Sequence, residues 1–318
     1  MARFVLRRLV GMVAVLFAVS VLVFAIFNVI PNSSPAQQLA GKNATPALVK
    51  NIEEEWGFDE SLPKQYLTMM EKVFSGELTS YRPRVSVDDR IVEGIPATAS
   101  LCIGAAVLWL FFGILFGYLS AVRAGGILDK LLTGVAVAGI SIPVFLLAPV
   151  LLYFLTYKIE LFPSGGYVPL TEDPSGWLTH LILPWITVAA LSVGFYSRVL
   201  RSNMLDAMDE DYVRTARAKG LDERRVMTRH VLRNSLIPII TLFGLDVGAL
   251  IGGTAIITEK LFDIGGVGNY AAIAIGNAEL PPIMGVAIYG AFFVVFFNTL
   301  ADIAYAYLDP RVRLGTAV

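Results

Sequence analysis

The stretch DEDYVRTARAKGLDERRVMTRHVLRNSLIP, residues 209–238, is a polar and basic segment between two long apolar runs. Nine of the chain's 25 Lys and Arg residues lie between Arg198 and Arg233. Acidic residues begin the stretch, basic residues follow and Gly220 ends its first part, which predicts a short helix whose charges match its macrodipole. Asp222 can cap a second helix that runs to Pro238. Two interpretations stay open: a docking element for another protein, or a solvated helical hairpin.

The composition excludes an ordinary soluble protein. The 318 residues are 56% hydrophobic and 16% charged, and the mean hydropathy is +0.67, whereas soluble domains carry about 25% charged residues. We therefore expect an integral membrane protein. The net charge of −1 indicates no class of partner, because the charges are segregated along the chain. The single cysteine, Cys102, excludes an internal disulfide and is expected to be a small buried hydrophobe.

A membrane span needs about 20 mostly apolar residues, and six segments of the chain qualify. The first follows three arginines, but its apolar run is longer than that of a signal peptide and no clear cleavage site follows it. We interpret it as an uncleaved transmembrane helix. The six predicted spans are Leu9–Ile30, Ala97–Val122, Leu131–Tyr157, Leu181–Ser197, Leu236–Thr258 and Ile283–Leu308.

The distribution of positive charge predicts that both termini lie in the cytoplasm. The two short outer loops, 158–180 and 259–282, then carry one basic residue each. The basic stretch is placed on the inner side of the membrane. The segments that are inside hold 16 of the 25 Lys and Arg residues: 1–8, 123–130, 198–235 and 309–318.

Residues 31–95, between the first two spans, predict a small helical insertion on the outer side of the membrane. Capping residues and glycines mark where its helices begin and end. The signals are Thr45-Pro46 and Gly57 for one helix, Pro63 and Ser75-Gly76 for a second, and Ser86 with Asp89 for a short third helix that leads to Pro96.

The sequence contains no catalytic constellation. His180 and His230 are far apart along the chain, and no cluster of residues predicts a metal site or an activated nucleophile. Gly41-Lys42 lacks the other residues of a phosphate-binding P-loop. We therefore expect a chain that is not an enzyme and that binds no cofactor of its own.

The basic stretch resembles the EAA loop of permease subunits of ATP-binding-cassette (ABC) importers, in the form found in dipeptide and oligopeptide permeases. The matching residues read R-T-A-R-A-K-G-L from Arg214 to Leu221, then H-x-L-R-N-x-L-I-P from His230 to Pro238. The glutamate of the general motif is replaced by Arg214 and its first alanine by Thr215. The resemblance covers about 95–313, and its other motifs are Ile95-Pro96-Ala97-Thr98, Gly244-Leu245-x-x-Gly248-x-Leu250-x-Gly252-Gly253, Phe262-x-Ile264-x-Gly266-x-Gly268 and Leu308-Asp309-Pro310-Arg311-Val312-Arg313.

This resemblance implies an all-α integral membrane protein with six transmembrane helices and the core of a type I ABC importer permease, in the bacterial inner membrane. It divides the chain into an N-terminal helix (1–30), the outer insertion (31–95), the permease core (96–313) and a short tail (314–318). Its implied partners are a second permease subunit in a heterodimer, two cytoplasmic ATPases that bind ATP and Mg, and an extracytoplasmic solute-binding protein. Peptides are the expected cargo, with glutathione, nickel chelates or sugars as alternatives on the same machinery, and an autonomous secondary transporter as a more distant one.

The resemblance also implies that residues 212–220 form a coupling helix that seats in a cleft of the ATPase. Arg214, Arg217 and Lys219 are the expected contacts. Small side chains are expected to keep the helix slim. The residues assigned to coupling are Tyr212, Arg214, Thr215, Ala216, Arg217, Ala218, Lys219 and Gly220.

The spans offer candidates for the pathway. Gly244, Gly248 and Gly252 recur at four-residue spacing, which allows close helix contact, either within one subunit or at the permease–permease interface. Asp246 is a mid-span acid and therefore a functional candidate. It is expected either to line the pathway and meet a peptide amine, or to pair with a Thr or Tyr hydroxyl on a neighbouring helix. Pro143 is expected to kink the third span, as part of a gate or simply as a structural feature.

Overall fold

The computed structural model describes residues 2–26, 35–40, 44–80, 85–277 and 279–308, and these are almost entirely helical. Three helices end or begin in π-helical turns, Leu152–Lys158, Val226–Leu232 and Leu250–Thr254. The α-helices are α1 (Ala2–Phe24), α2 (Pro35–Ala40), α3 (Pro46–Trp56), α4 (Leu62–Ser75), α5 (Val87–Val122), α6 (Ile127–Ser141), α7 (Val144–Leu151), α8 (Pro174–Met208), α9 (Asp211–Ala218), α10 (Glu223–Arg225), α11 (Arg233–Ala249), α12 (Ile256–Leu261), α13 (Val267–Asn277) and α14 (Leu280–Leu308).

The described helices include five that are each long and apolar enough to cross a membrane. They are α1, α5, α8, the helical run from Glu223 to Thr254, and α14. A sixth span arises if α6 and the helix from Val144 to Lys158 are counted together, although they meet at a bend of 104°. The all-α membrane fold is confirmed, with five spans among the described helices or six if the bent pair is one span, and the predicted third span is broken rather than merely kinked.

The helix caps predicted in the outer insertion are confirmed. The Thr45 side chain accepts a hydrogen bond from the backbone N–H of Leu48, and Gly57 ends α3 in the left-handed conformation at φ 62°. Gly76 ends α4 in the same way. Ser86 Oγ accepts from the backbone N–H of Asp89 at 3.2 Å, at the start of α5. These caps depend only on local chain geometry, so the sequence specifies them well.

Two predicted helix boundaries at prolines are wrong. The short helix before Pro96 is the start of the 36-residue α5, and the loop's second helix continues through Pro238 into the fifth span. A proline loses only one backbone hydrogen bond, whereas a break would leave several backbone groups unpaired in apolar surroundings. The membrane environment therefore favours continuous helices at both positions.

The helices fall into two compact units. One contains Ser100–Gly248 and the described residues from Phe297 onward, and in it α6 packs closely on α8. A Cβ atom on Gly194 of α8 would lie 2.3 Å from the carbonyl oxygen of Ala136 on α6. Only glycine permits this backbone contact, which is the usual way that membrane helices pack in the absence of a hydrophobic driving force.

The other unit contains Ala2–Ala99 and Ala249–Phe296. Its apolar core joins the outer insertion to α13 and α14, and Ser20 Oγ of α1 lies 2.7 Å from Tyr66 Oη of α4. The insertion is thus a packed part of this unit. Its core includes Phe24, Ile52, Trp56, Met69, Leu78, Val87, Val267, Ala271 and Met284.

Candidate functional site

The basic stretch at 209–238, called the basic loop from here on, begins with two helices separated by a glycine turn. Helix α9 begins after its N-cap, Glu210, and ends at Ala218. Gly220 follows at φ +76°, a left-handed conformation that favours glycine. The Asp222 side chain then accepts from the backbone N–H of Arg224 at 3.1 Å and caps the next helix. The sequence had predicted both helices, the glycine and the second cap.

Helix α9 has one buried face and one exposed face. Val213 and Ala216 are buried, on the side where α9 packs against α8 and the π-helical turn at 226–232. Among the residues expected to take part in docking, only Ala216 is buried, so its role is to anchor the helix. The others are all exposed: Tyr212, Arg214, Thr215, Arg217, Ala218, Lys219 and Gly220.

The three basic side chains on α9 and its end differ in their partners. Arg217 forms a two-pronged ion pair with Glu223, with nitrogen–oxygen distances of 3.1 and 2.8 Å. This pair joins α9 to the start of the second helix. Arg214 is 3.6 Å from Asp211 and 68% exposed. Lys219 is exposed and has no ion-pair partner among the residues that the structure describes.

Asp246 lies in α11, next to a tyrosine of α8. Tyr196 Oη donates a hydrogen bond of 2.7 Å to Asp246 Oδ2. Tyr196 is fully buried, with 1% of its surface exposed, and its ring lies 6.2 Å from that of Trp109. Of the two roles that the sequence left open for Asp246, the pairing with a hydroxyl of a neighbouring helix is present in this structure.

The glycines of the fifth span lie against the sixth span of the same chain. A Cβ atom on Gly244 would be 2.3 Å from Cβ of Ala301 in α14. In the second compact unit, a Cβ atom on Gly252 would be 2.2 Å from a methyl carbon of Val294. Gly248 between them is buried. At Gly244 and Gly252 the small residues therefore allow close packing within one subunit.

Pro143 lies at the break of the third span. It is the N-cap of α7, in an extended conformation, and it is exposed. The chain bends there by 104° between Ser141 and Val144. Ile142, the residue before Pro143, is extended at φ −97° and ψ 115°, a conformation that a following proline favours, and α6 ends there.

A partly buried ion pair between α6 and α8 was not predicted from the sequence. Arg201 binds Asp129 through two nitrogen–oxygen contacts of 2.8 Å. Asp129 also accepts from the backbone N–H of Gly125 at 2.8 Å. The pair fixes the 123–130 segment to the end of α8 that leads into the basic loop. The two residues are 72 positions apart, so no local pattern reveals their contact.

A second unpredicted site is the fully buried carboxylate of Glu259 at α12. Thr98 Oγ1 donates to Glu259 Oε1 at 2.8 Å, and the backbone N–H of Asn269 donates to Oε2 at 2.9 Å. Thr98 in turn accepts from the backbone N–H of Val267 at 2.9 Å. Burial raises the pKa of Glu259, and these hydrogen bonds oppose that shift.

The glycine motif at 266–268 is explained by this carboxylate. A Cβ atom on Gly266 would lie 2.3 Å from Glu259 Oε2. The start of α13 therefore wraps around Glu259, and its backbone N–H groups face the carboxylate. The described segments hold no group of three His, Cys, Asp or Glu side chains that could bind a metal ion.

These features define a multi-pass, all-helical membrane protein whose longest basic loop presents a short exposed helix. The family described as the inner membrane component of binding-protein-dependent transport systems matches residues 113–314, and the N-terminal region described for such membrane components matches residues 1–102. The chain therefore belongs to this family of inner-membrane transport components.

Relatives match over nearly the whole chain. A probable peptide ABC transporter permease protein of Sinorhizobium fredii is 35% identical, over 98% of this chain and 100% of its own length. Dipeptide transport system permease proteins of Bacillus subtilis and Escherichia coli are 33% and 32% identical, over 99% and 98% of this chain and 99% of each relative. Among solved structures, the inward-facing MetNI methionine ABC transporter is similar in fold, with a TM-score of 0.55 and 18% identity over 69% of this chain and 96% of that one.

Proposed function

We propose that this chain is the transmembrane-pathway subunit of an ATP-driven importer of dipeptides and oligopeptides that depends on a solute-binding protein. Its family membership supports the transport role. The cargo is supported by the peptide and dipeptide names of relatives that match along almost their entire length.

The observation that carries the coupling role is the exposed face of α9. A helix of eight residues is held by Val213 and Ala216 and presents its remaining residues outward. Such a short helix, anchored by its buried face, can move together with a partner on which it docks. We propose that it seats in a cleft of the ATPase subunit and moves with it.

The three basic residues of α9 and its end have different roles at this contact. Lys219 has no ion-pair partner among the described residues, and Arg214 has only a long, exposed contact with Asp211, so both are available to acidic groups of the ATPase. Arg217 is instead engaged by Glu223. Through this ion pair, Arg217 then holds α9 at a fixed angle to the following helix. This assignment refines the expectation from the family motif, in which all three were treated alike.

The remaining partners follow from the same proposal. Two cytoplasmic ATPases supply the ATP and Mg sites, a second permease subunit completes a heterodimer, and an extracytoplasmic binding protein delivers the peptide. The chain itself performs no catalysis. Both of its termini and the basic loop lie in the cytoplasm, in keeping with the excess of Lys and Arg in those segments.

Transport then proceeds by alternating access. When the ATPases close on ATP, they draw α9 with them, and the motion passes into α8 and into the helical run that begins at Glu223. These two helices flank α9 in the chain, so they move first. The pathway opens toward the binding protein, and hydrolysis returns it to the inward-facing state.

The coupling role is tested by the double variant Arg214→Glu and Lys219→Glu in the assembled transporter, reconstituted in vesicles. We expect ATP hydrolysis stimulated by the binding protein, and peptide uptake, to fall by about tenfold or more because docking charges are reversed. The matched control is Arg224→Glu with Arg229→Glu, which changes two exposed arginines of the same loop. The control should keep activity, and both variants should insert in the membrane normally.

Three outcomes would contradict the proposal. Unchanged coupled hydrolysis in the double variant would remove the docking role of α9. Uptake by this chain without ATPase subunits would indicate an autonomous transporter. Uptake of a sugar or a nickel chelate, but not of peptides, would leave the machinery in place and refute the cargo.

A further inference from the structure

A groove of about 740 Å³ lies between α6 and α8, beside the ion pair of Asp129 with Arg201. Its volume is within the range of about 300–1,000 Å³ that is usual for ligand sites. It is lined by Asp129, Lys130, Thr133, Gly134, Val137, Arg198, Arg201 and Ser202.

The mouth of the groove is positively charged. Arg201 is neutralised by Asp129, which leaves Lys130 and Arg198 in excess. Both are exposed, and the part of the chain that the structure describes offers neither an ion-pair partner. Two uncompensated cations beside one groove favour an anion with more than one oxygen, such as a phosphate group.

The α6 side of the groove beyond Lys130 is uncharged and open. Lys130, Gly134 and Val137 follow one another along one face of α6, about one turn apart. A Cβ atom on Gly134 would meet no atom within 4 Å, whereas on Gly139, further along α6, it would lie 2.6 Å from the carbonyl oxygen of Ala190. The two helices are therefore in contact at Gly139, while Gly134 faces open space beside that contact, where a hydrocarbon chain can lie along the exposed face of α6.

The two cations also lie at the same level of the membrane. Lys130 ends one inner segment of the chain and Arg198 begins the next, so each is placed where an apolar span meets water. Lipid phosphates lie at this level, and basic pockets between transmembrane helices on the cytoplasmic side bind anionic headgroups. A basic mouth beside an open, uncharged helix face matches a phospholipid better than a water-soluble anion.

We propose that this groove binds an anionic phospholipid of the inner leaflet, with its phosphate between Lys130 and Arg198 and one acyl chain along Gly134 and Val137. The lipid would lie in the surface groove beside the contact of α6 with α8, next to the end of α8 that leads to the coupling helix. The inference rests on the membrane orientation given under the proposed function, but lipid retention can be measured independently of transport.

The test uses the assembled transporter, purified in detergent, and native mass spectrometry after addition of phosphatidylglycerol or phosphatidylcholine. In the Lys130→Ala and Arg198→Ala variants, we expect phosphatidylglycerol retention to fall about fivefold for each cation removed, the equivalent of about 1 kcal/mol. Phosphatidylcholine retention should stay low in every sample. Arg123→Ala with Arg224→Ala is the matched control, because these exposed arginines lie outside the groove.

A second variant tests the open space at Gly134 without changing charge. Gly134→Leu fills open space, so the protein should unfold at an unchanged temperature and still lose phosphatidylglycerol. The proposal is overturned if retention is unchanged in both sets of variants, or if both lipids are retained equally. Displacement of the lipid by inorganic phosphate would also overturn it, since the groove would then be a site for a free anion. Loss of peptide uptake with normal lipid retention would count against the proposed function alone.

Discussion

At the scale of single residues, Asp246 shows how a charged group is accommodated within a span. Its hydrogen bond from Tyr196 is short, at 2.7 Å, and Tyr196 is itself buried beside Trp109. An acid in a membrane helix is costly unless a partner compensates it. The tyrosine provides that compensation and also joins α8 to α11, so the interaction is structural in this state.

Two substitutions separate this structural role from substrate binding. Tyr196→Phe leaves the carboxylate without its donor and should destabilise the transporter by about 1–3 kcal/mol, seen as a lower unfolding temperature in detergent. Asp246→Asn keeps an oxygen that can accept the hydrogen bond, so this variant should lose less stability. Tyr153→Phe, at an exposed tyrosine, serves as the control. A stable Asp246→Asn variant with a strongly raised KM for peptide would instead indicate that Asp246 meets the substrate.

At the scale of elements, the sequence predicted what depends on neighbouring residues and failed where contacts are distant. The caps at Thr45, Gly220 and Asp222 were predictable because each depends on a few residues. The contacts of Glu259 with Thr98, 161 positions away, have no local signature. The sequence did contain one indication of these contacts. The closely spaced glycines at 266 and 268 mark a place where the backbone approaches another group closely, and that group is the Glu259 carboxylate.

Glu259 joins α5, α12 and α13, and its removal should loosen the contacts among all three. Glu259→Ala leaves the Thr98 hydroxyl and the Asn269 N–H without their acceptor, and we expect a loss of about 2 kcal/mol or more. Glu259→Gln keeps one oxygen that can accept from the Asn269 N–H, and this variant should lose less stability. Thermal unfolding of the purified transporter measures both, with the exposed Glu172→Ala as control. Equal stability of the alanine variant and wild type would refute this role.

The pH dependence of stability adds an independent readout. Burial raises the pKa of Glu259 above its ordinary value, so the folded state holds this proton more strongly than the unfolded state. Stability then falls as pH rises from the ordinary pKa of glutamate through the raised value. Glu259→Gln cannot titrate, so wild type should lose stability relative to this variant across that interval. A parallel pH profile for the two proteins would contradict the shift.

At the scale of the whole molecule, charge and apolar length together specify a topology that no single residue reveals. Among the helices that the structure describes, five and one broken pair are suited to cross the membrane, and the basic residues concentrate in the segments between alternate spans. The break at Pro143 was only partly predictable. A proline indicates a kink, but the size of the bend depends on how the flanking helices pack.

Cysteine labelling in intact cells tests the proposed topology, and the chain is well suited to it because Cys102 is its only cysteine and is buried. In a Cys102→Ala background, a membrane-impermeant maleimide should label Ser61→Cys and Thr171→Cys directly. Ala124→Cys and Thr228→Cys should be labelled only after the membrane is permeabilised, since their segments carry the excess of basic residues that stays inside. All four positions are exposed, so a missing signal cannot reflect burial within the chain. The reverse pattern would invert the topology and place α9 beyond the reach of any cytoplasmic ATPase, while labelling of Ala124→Cys and Thr171→Cys from the same side would show that α6 and α7 do not form one span.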